Sequence, residues 1–150
     1  LPVENQMQIL ENLAQIDIDL ADRSGNGQYR QEAIDVLGEI VSQGWDTYDT
    51  YDTLAVLYEK QGQLDSARQT VDTMMEKFGE DYNVYMRYAF LEIDAQELLD
   101  NSDRDYTQFA QYYEKALQLY NEEMTDNNED NEMLLLESVY AQVVEGGWLE

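Results

Sequence analysis

The side chains that do most enzymatic chemistry are missing from this chain. It holds no histidine and no cysteine, so imidazole proton transfer, thiolate nucleophiles, Ser-His-Asp constellations and ordinary zinc sites are excluded. Carboxylates, tyrosines and a few lysines remain. A pair of carboxylates can hydrolyse glycosides, but 33 acidic residues in 150 make chance pairs abundant, and spacing alone selects none. The sequence therefore predicts a non-enzymatic protein, with no catalytic residue, no cofactor site and no metal site.

Two segments come nearest to ion or phosphate chemistry. In DRSGNGQYRQEA, Asp22, Ser24, Asn26 and Gly27 take the first, third, fifth and sixth positions of a calcium loop, with Tyr29 at the apolar position. Position twelve is Ala33, where a bidentate glutamate is required. Glu32 stands one residue early, about a quarter turn off the site. The segment reads as a polar turn between helices whose glycines supply positive φ. The glycines of GNG follow no strand, so they do not read as a phosphate cradle. The acidic stretch TDNNEDNE, Thr125 to Glu132, reads as a solvated loop ending in a helix N-cap.

The run WDTYDTYDT places Tyr48 and Tyr51 on neighbouring positions of one helix face. Packing explains these rings, and Tyr58 after them, better than an aromatic recognition site. Asp46, Thr47 and Asp49 favour a helix N-terminus there, by capping and by the helix dipole.

The elements that must carry these side chains are helical. Apolar residues recur at helical spacing, as in Leu54, Leu57 and Tyr58, then Leu64, Ala67, Val71, Met74, Met75 and Phe78. Proline occurs once, at Pro2, and glycines fall mostly where the periodicity pauses. Seven helices are predicted, near 3–21, 28–43, 47–61, 64–78, 81–99, 104–124 and 131–145. Short connections make them antiparallel hairpins. With 43% hydrophobic content the chain suffices for one domain spanning 1–150.

The hairpins repeat. Ala33, Leu37 and Ile40 recur 34 residues later as Ala67, Val71 and Met74, and Tyr51, Leu54 and Ala55 recur as Tyr85, Tyr88 and Ala89. The segment TYDTYDTLAVLYEKQGQLDSARQTVDTMMEKFGED resembles one full tetratricopeptide repeat, through Tyr51, Leu54, Ala55, Tyr58, Gly62 and Ala67. A third repeat from Tyr82 contains YYEKAL, Tyr112 to Leu117, also similar to that family. It departs where Glu92 replaces an aromatic, where ELLDNSDR lengthens the hairpin, and where Phe109 replaces a small residue. In the first repeat the DRSGNGQ connection is longer, and Leu13 and Ala14 are matched with Leu54 and Ala55. The resemblance implies an all-α right-handed solenoid with repeats near 3–43, 47–79 and 82–124 and a terminal helix at 131–145. Ala33, Leu54, Ala55, Tyr58, Ala67, Val71, Ala89 and Leu117 should be buried between helices.

In that family the first helices of the repeats line a concave groove that holds peptides or partner proteins. Carried onto this sequence, the groove positions are Glu11, Asp49, Asp52, Val56 and Glu59, then Asn83, Met86, Phe90 and Ile93. The surface so defined is acidic at one end and apolar at the other. The partner it implies is a protein or peptide, basic with one or two apolar anchors. A chaperone-tail clamp is not implied, because Val56 and Phe90 stand where its asparagine belongs.

The formal net charge of −25 argues against nucleic acid as the partner. No apolar run reaches the length of a membrane span, and LPVENQMQIL lacks the features of a signal peptide. A start at Leu1 rather than Met suggests a piece of a longer product, and localisation stays open between cytoplasm and exterior. Two further readings accompany the binding role. The ending GGWLE resembles tails of bacterial Ser/Thr kinases that carry such repeats, which would make the chain a C-terminal regulatory or sensory segment. The last helix carries Met133 to Leu136 consecutively, with Val139, Tyr140, Val143, Val144 and Trp148. This much apolar surface should dock elsewhere on the chain or on a second copy, making a homodimer.

Overall fold

A computed structural model describes residues 1–124 and 129–149. They form seven α-helices and one 3₁₀ turn, with no strand among the described residues. The helices are α1 (Val3–Ser24), α2 (Gly27–Ser42), α3 (Tyr48–Lys60), α4 (Leu64–Phe78), α5 (Tyr82–Glu97), α6 (Thr107–Glu123) and α7 (Asn131–Glu145). The chain is all-α, built from consecutive helical hairpins, as expected. It divides into two compact units, Leu1–Met74 and Met75–Glu150, with the boundary inside α4.

In the first unit α1 and α2 make the principal hairpin, and α2 also packs on α3. The connection DRSGNGQ is shorter than the sequence suggested. α1 runs on to Ser24, Gly25 turns the chain at φ 69°, and Asn26 caps α2 by accepting from the Gln28 N–H at 2.9 Å. α1 buries Met7, Ala14 and Ala21, one residue every seven, a narrow seam whose two alanines let α2 come close. Ala14 takes its expected place, but Leu13 is exposed. At seven-residue spacing the seam passes beside Leu13 and leaves it facing out. The core of the unit joins Met7 and Ala14 to Ala33, Ile34, Leu37 and Ile40 of α2 and Leu54 and Leu57 of α3.

The start of α3 follows the sequence. Thr47 caps it, accepting from the Thr50 N–H at 3.2 Å, and Asp46 accepts from the Tyr51 hydroxyl at 3.3 Å. Gly62, at φ 76°, turns α3 into α4, and the side chain before it reaches back to the first turn of α2. Gln61 donates to the Gly27 carbonyl at 3.0 Å and accepts from the Arg30 guanidinium at 2.9 Å. Ala33, Ala55, Ala67, Val71 and Met74 are buried, which fixes the register of α2, α3 and α4. Tyr58 is half-buried at the edge of the core.

In the second unit α5 and α6 form a hairpin and α7 packs on both. Its core contains Met86, Ala89 and Ile93 of α5, Tyr106 beside α6, Phe109, Tyr113 and Ala116 of α6, and Met133, Leu136 and Val143 of α7. Leu117 is 37% exposed and Ala116 takes the buried position instead. The large Phe109 sets this register: it is fully buried, and Tyr113 and Ala116 follow on its face at helical spacing. The lengthened connection contains the 3₁₀ turn Asn101–Asp103. Arg104 closes the end of α5 by donating to the carbonyls of Leu99 and Glu97, and Gln96 accepts from the Asp105 N–H. α5 and α6 are thus shorter there than the periodicity suggested. Glu92 is buried and accepts from Gln96 at 3.1 Å.

Docking of α7 is polar as well as apolar. Arg87, itself buried, forms a two-pronged ion pair with Glu132. Asp130 caps α7, accepting from the N–H groups of Glu132 and Met133, and also accepts from the Tyr82 hydroxyl at 2.8 Å. Tyr113 and Tyr140 stack at 4.2 Å, and Trp148 meets Tyr106 edge-on at 5.1 Å. Of the acidic stretch Thr125 to Glu132, its first four residues lie outside those described, and Asp130 provides the expected N-cap. The terminal helix therefore docks on its own chain through Met133, Leu136, Val139, Tyr140 and Val143, and leaves Leu134, Leu135 and Val144 exposed.

Candidate cleft between the first and third helices

Two of the acids expected to face a partner come together in the first unit. α1 supplies Glu11, Ala14, Gln15 and Ile18, α2 supplies Leu37, and the start of α3 supplies Thr47, Asp49, Thr50 and Thr53. They enclose an open cleft of about 250 Å³. Helical geometry selects these residues: positions 11, 14, 15 and 18 fall on one face of α1, and 49, 50 and 53 on one face of α3. The Thr47 cap fixes where α3 begins and hence where Asp49 projects. Ala14 and Leu37 are buried and make an apolar floor, while Glu11 and Asp49 are exposed at the mouth.

The remaining predicted positions behave differently. Asp52, Val56 and Glu59 are half-buried along α3 and do not line this cleft. On α5, Asn83 and Phe90 are half-buried, and Phe90 packs against the core of the second unit. Met86 and Ile93 are buried. Both are core residues of that unit, because α6 and α7 cover the face of α5 that was assigned to the groove. Gln15, Ile18, Thr50 and Thr53 were not singled out in the sequence, and Thr47 only as a helix cap. They become neighbours only once α1 and α3 are seen to flank α2.

The chemistry available in the cleft is that of carboxylates over a small apolar floor. The segment compared with a calcium loop forms no loop: Asp22 and Ser24 belong to α1, and Asn26 to the turn. The Ser24 hydroxyl donates to the Leu20 carbonyl and accepts from the Asn26 N–H, so helix and turn already use it.

The clear shifts in acidity lie in the second unit. Burial raises the Tyr82 hydroxyl far above its ordinary value, aided by its hydrogen bond to Asp130. Burial also raises Tyr85, helped by its bond to Glu80, and Tyr113. The Asp105 carboxyl is lowered by its hydrogen bonds to Thr107. Tyr82 is a neutral donor that ties α5 to the start of α7, Tyr85 donates to Glu80 just before its own helix, Tyr113 stacks on Tyr140 of α7, and Asp105 steadies the start of α6. Compared with known proteins, the chain matches no family model, no curated protein and no solved structure.

Proposed function

We propose that this chain is a non-enzymatic protein- or peptide-binding module, with the α1–α3 cleft as its contact point for a basic side chain. The observation that carries this reading is the pairing of Glu11 and Asp49 at the mouth of a cleft floored by Ala14 and Leu37. A lysine or arginine is apolar along its stem and charged at its tip. Its stem would lie on the floor and its head would meet the two carboxylates. At about 250 Å³ the cleft holds one or two side chains and falls below the usual size of a small-molecule site. The surrounding negative field, from a net charge of −25, speeds encounter with a basic partner and weakens in salt.

The test is a double variant, Glu11→Lys with Asp49→Lys, titrated with a panel of lysine- and arginine-containing peptides at low salt. Affinity should fall about tenfold or more for any peptide that binds the parent. Peptides that bind variant and parent equally tightly would remove the cleft from the binding surface.

A further inference from the structure

The opposite face of α1 holds a second surface. Ile9, Leu13, Ile16 and Leu20 are exposed at 48%, 46%, 55% and 38%, a dense set of large apolar side chains turned outward. Their spacing is four, three, four, the alternation of the two seam positions of a heptad. At roughly 100° per residue they share one stripe, facing away from the buried Met7, Ala14 and Ala21. The stripe has defined ends. One heptad step before Leu13 stands Gln6, and one after Ile16 stands Arg23. It spans about 17 Å, three turns of helix.

The positions that flank a heptad seam choose its partner. Here they are Asn5, Leu10, Asn12, Asp17 and Asp19, which include two acids and no base. A second copy would bring no cation to Asp17 or Asp19 and would set one net charge of −25 against another. A helix with lysine or arginine beside its seam would answer both.

We propose that the outer face of α1 docks an amphipathic helix of another protein segment, with an apolar heptad seam of about three turns and basic flanks beside Asp17 and Asp19. This surface goes beyond the α1–α3 cleft and uses none of its residues. The partner helix lays its seam over Ile9, Leu13, Ile16 and Leu20, removing them from water. Its cations reach Asp17 and Asp19 at the rim, where charge sets register and speed of encounter more than affinity.

The probe is a synthetic 21-residue helix with leucine and isoleucine at the seam and lysine at the flanks. A scrambled peptide of the same composition and a version with glutamate at the flanks accompany it, all titrated by fluorescence anisotropy against the whole 150-residue chain. The heptad peptide should bind saturably, and the other two at least about tenfold more weakly. Leu13→Ser with Ile16→Ser, both at exposed positions, should abolish binding with an unchanged helical circular dichroism spectrum. Asp17→Lys with Asp19→Lys should reverse the preference between lysine and glutamate flanks. Glu11→Lys with Asp49→Lys should leave this binding largely intact, which separates failure here from failure of the cleft. Equal binding of the heptad and scrambled peptides would show general attraction to the acidic field and overturn the proposal. So would a parent dimer, seen by sedimentation, that Leu13→Ser with Ile16→Ser dissolves, because the occupant would then be a second copy.

Discussion

Ala67 has no exposed surface, and Val71 and Met74 continue its face to the same depth. Enlarging it to phenylalanine should overpack α4 and destabilise the chain by roughly 1–3 kcal/mol, measured by urea unfolding. Tyr82 gives a second test at the level of single side chains. Its hydroxyl is held neutral in the folded chain by burial and by Asp130, so its folded pKa lies above the unfolded value of about 10. A group raised in this way stabilises fully below the unfolded pKa and loses that contribution as pH climbs from there towards the folded one. Stability should therefore fall from about pH 10 upwards. Tyr82→Phe should make that fall shallower, seen as a smaller change in urea midpoint between pH 9 and pH 11. At this level the sequence was readable where one residue type admitted one role. The alanine at 67 and the Thr47 cap were both legible. Leu117 was misread because YYEKAL was read by resemblance alone, whereas the fully buried Phe109 sets the local register.

Among the helices, α7 is secured by a small number of polar contacts that no periodicity reveals. Glu132 reaches Arg87 across 45 residues of sequence, and removing it takes two charge-assisted bonds from a buried guanidinium. Glu132→Ala should cost about 1.5–3 kcal/mol, less than for a fully buried pair because Glu132 is half-exposed. The loss should appear as faster hydrogen exchange along α7 than along α2. Helix existence and type were legible throughout, because helical spacing is continuous and breaks fall at glycines. The working face of α1 was not. Its sequence carries two apolar sets, Met7, Ala14 and Ala21 beside Ile9, Leu13, Ile16 and Leu20, and the bulkier set is the exposed one. Close approach of α2 selects the smaller residues, a choice that periodicity alone does not make. The burial of Met86 and Ile93 on α5 was hidden for a related reason: the docking of α6 and α7 decides which side of α5 is inside.

The whole chain carries 33 acids against 8 bases, so folding gathers like charges that the unfolded chain keeps apart. Raising sodium chloride from about 10 mM to 150 mM shortens the screening length from about 30 Å to 8 Å and should raise the melting temperature. Calcium and magnesium should raise it further, and equally, since screening is indifferent to which divalent ion supplies it. A saturable calcium isotherm that Asp22→Ala abolishes, with no counterpart for magnesium, would contradict this expectation. Acidity and the lack of histidine and cysteine were plain in the sequence, and composition alone was enough to narrow the range of functions. The α1–α3 cleft was only half legible: Glu11 and Asp49 could be named, but their meeting depends on three helices packing together.

The Gln61 side chain has a consequence in time as well as space. It supplies a hydrogen-bond donor to Gly27 and an acceptor to Arg30, so the first turn of α2 is completed by a residue 34 positions later. A ribosome adds about 5–20 residues each second, which makes that wait roughly 2–7 s. During translation the opening of α2 is therefore made early and sealed late. A chaperone or protease that meets the nascent chain in that interval finds Arg30 without its bond to Gln61, and one that arrives afterwards finds its guanidinium hydrogen-bonded and the side chain half-buried.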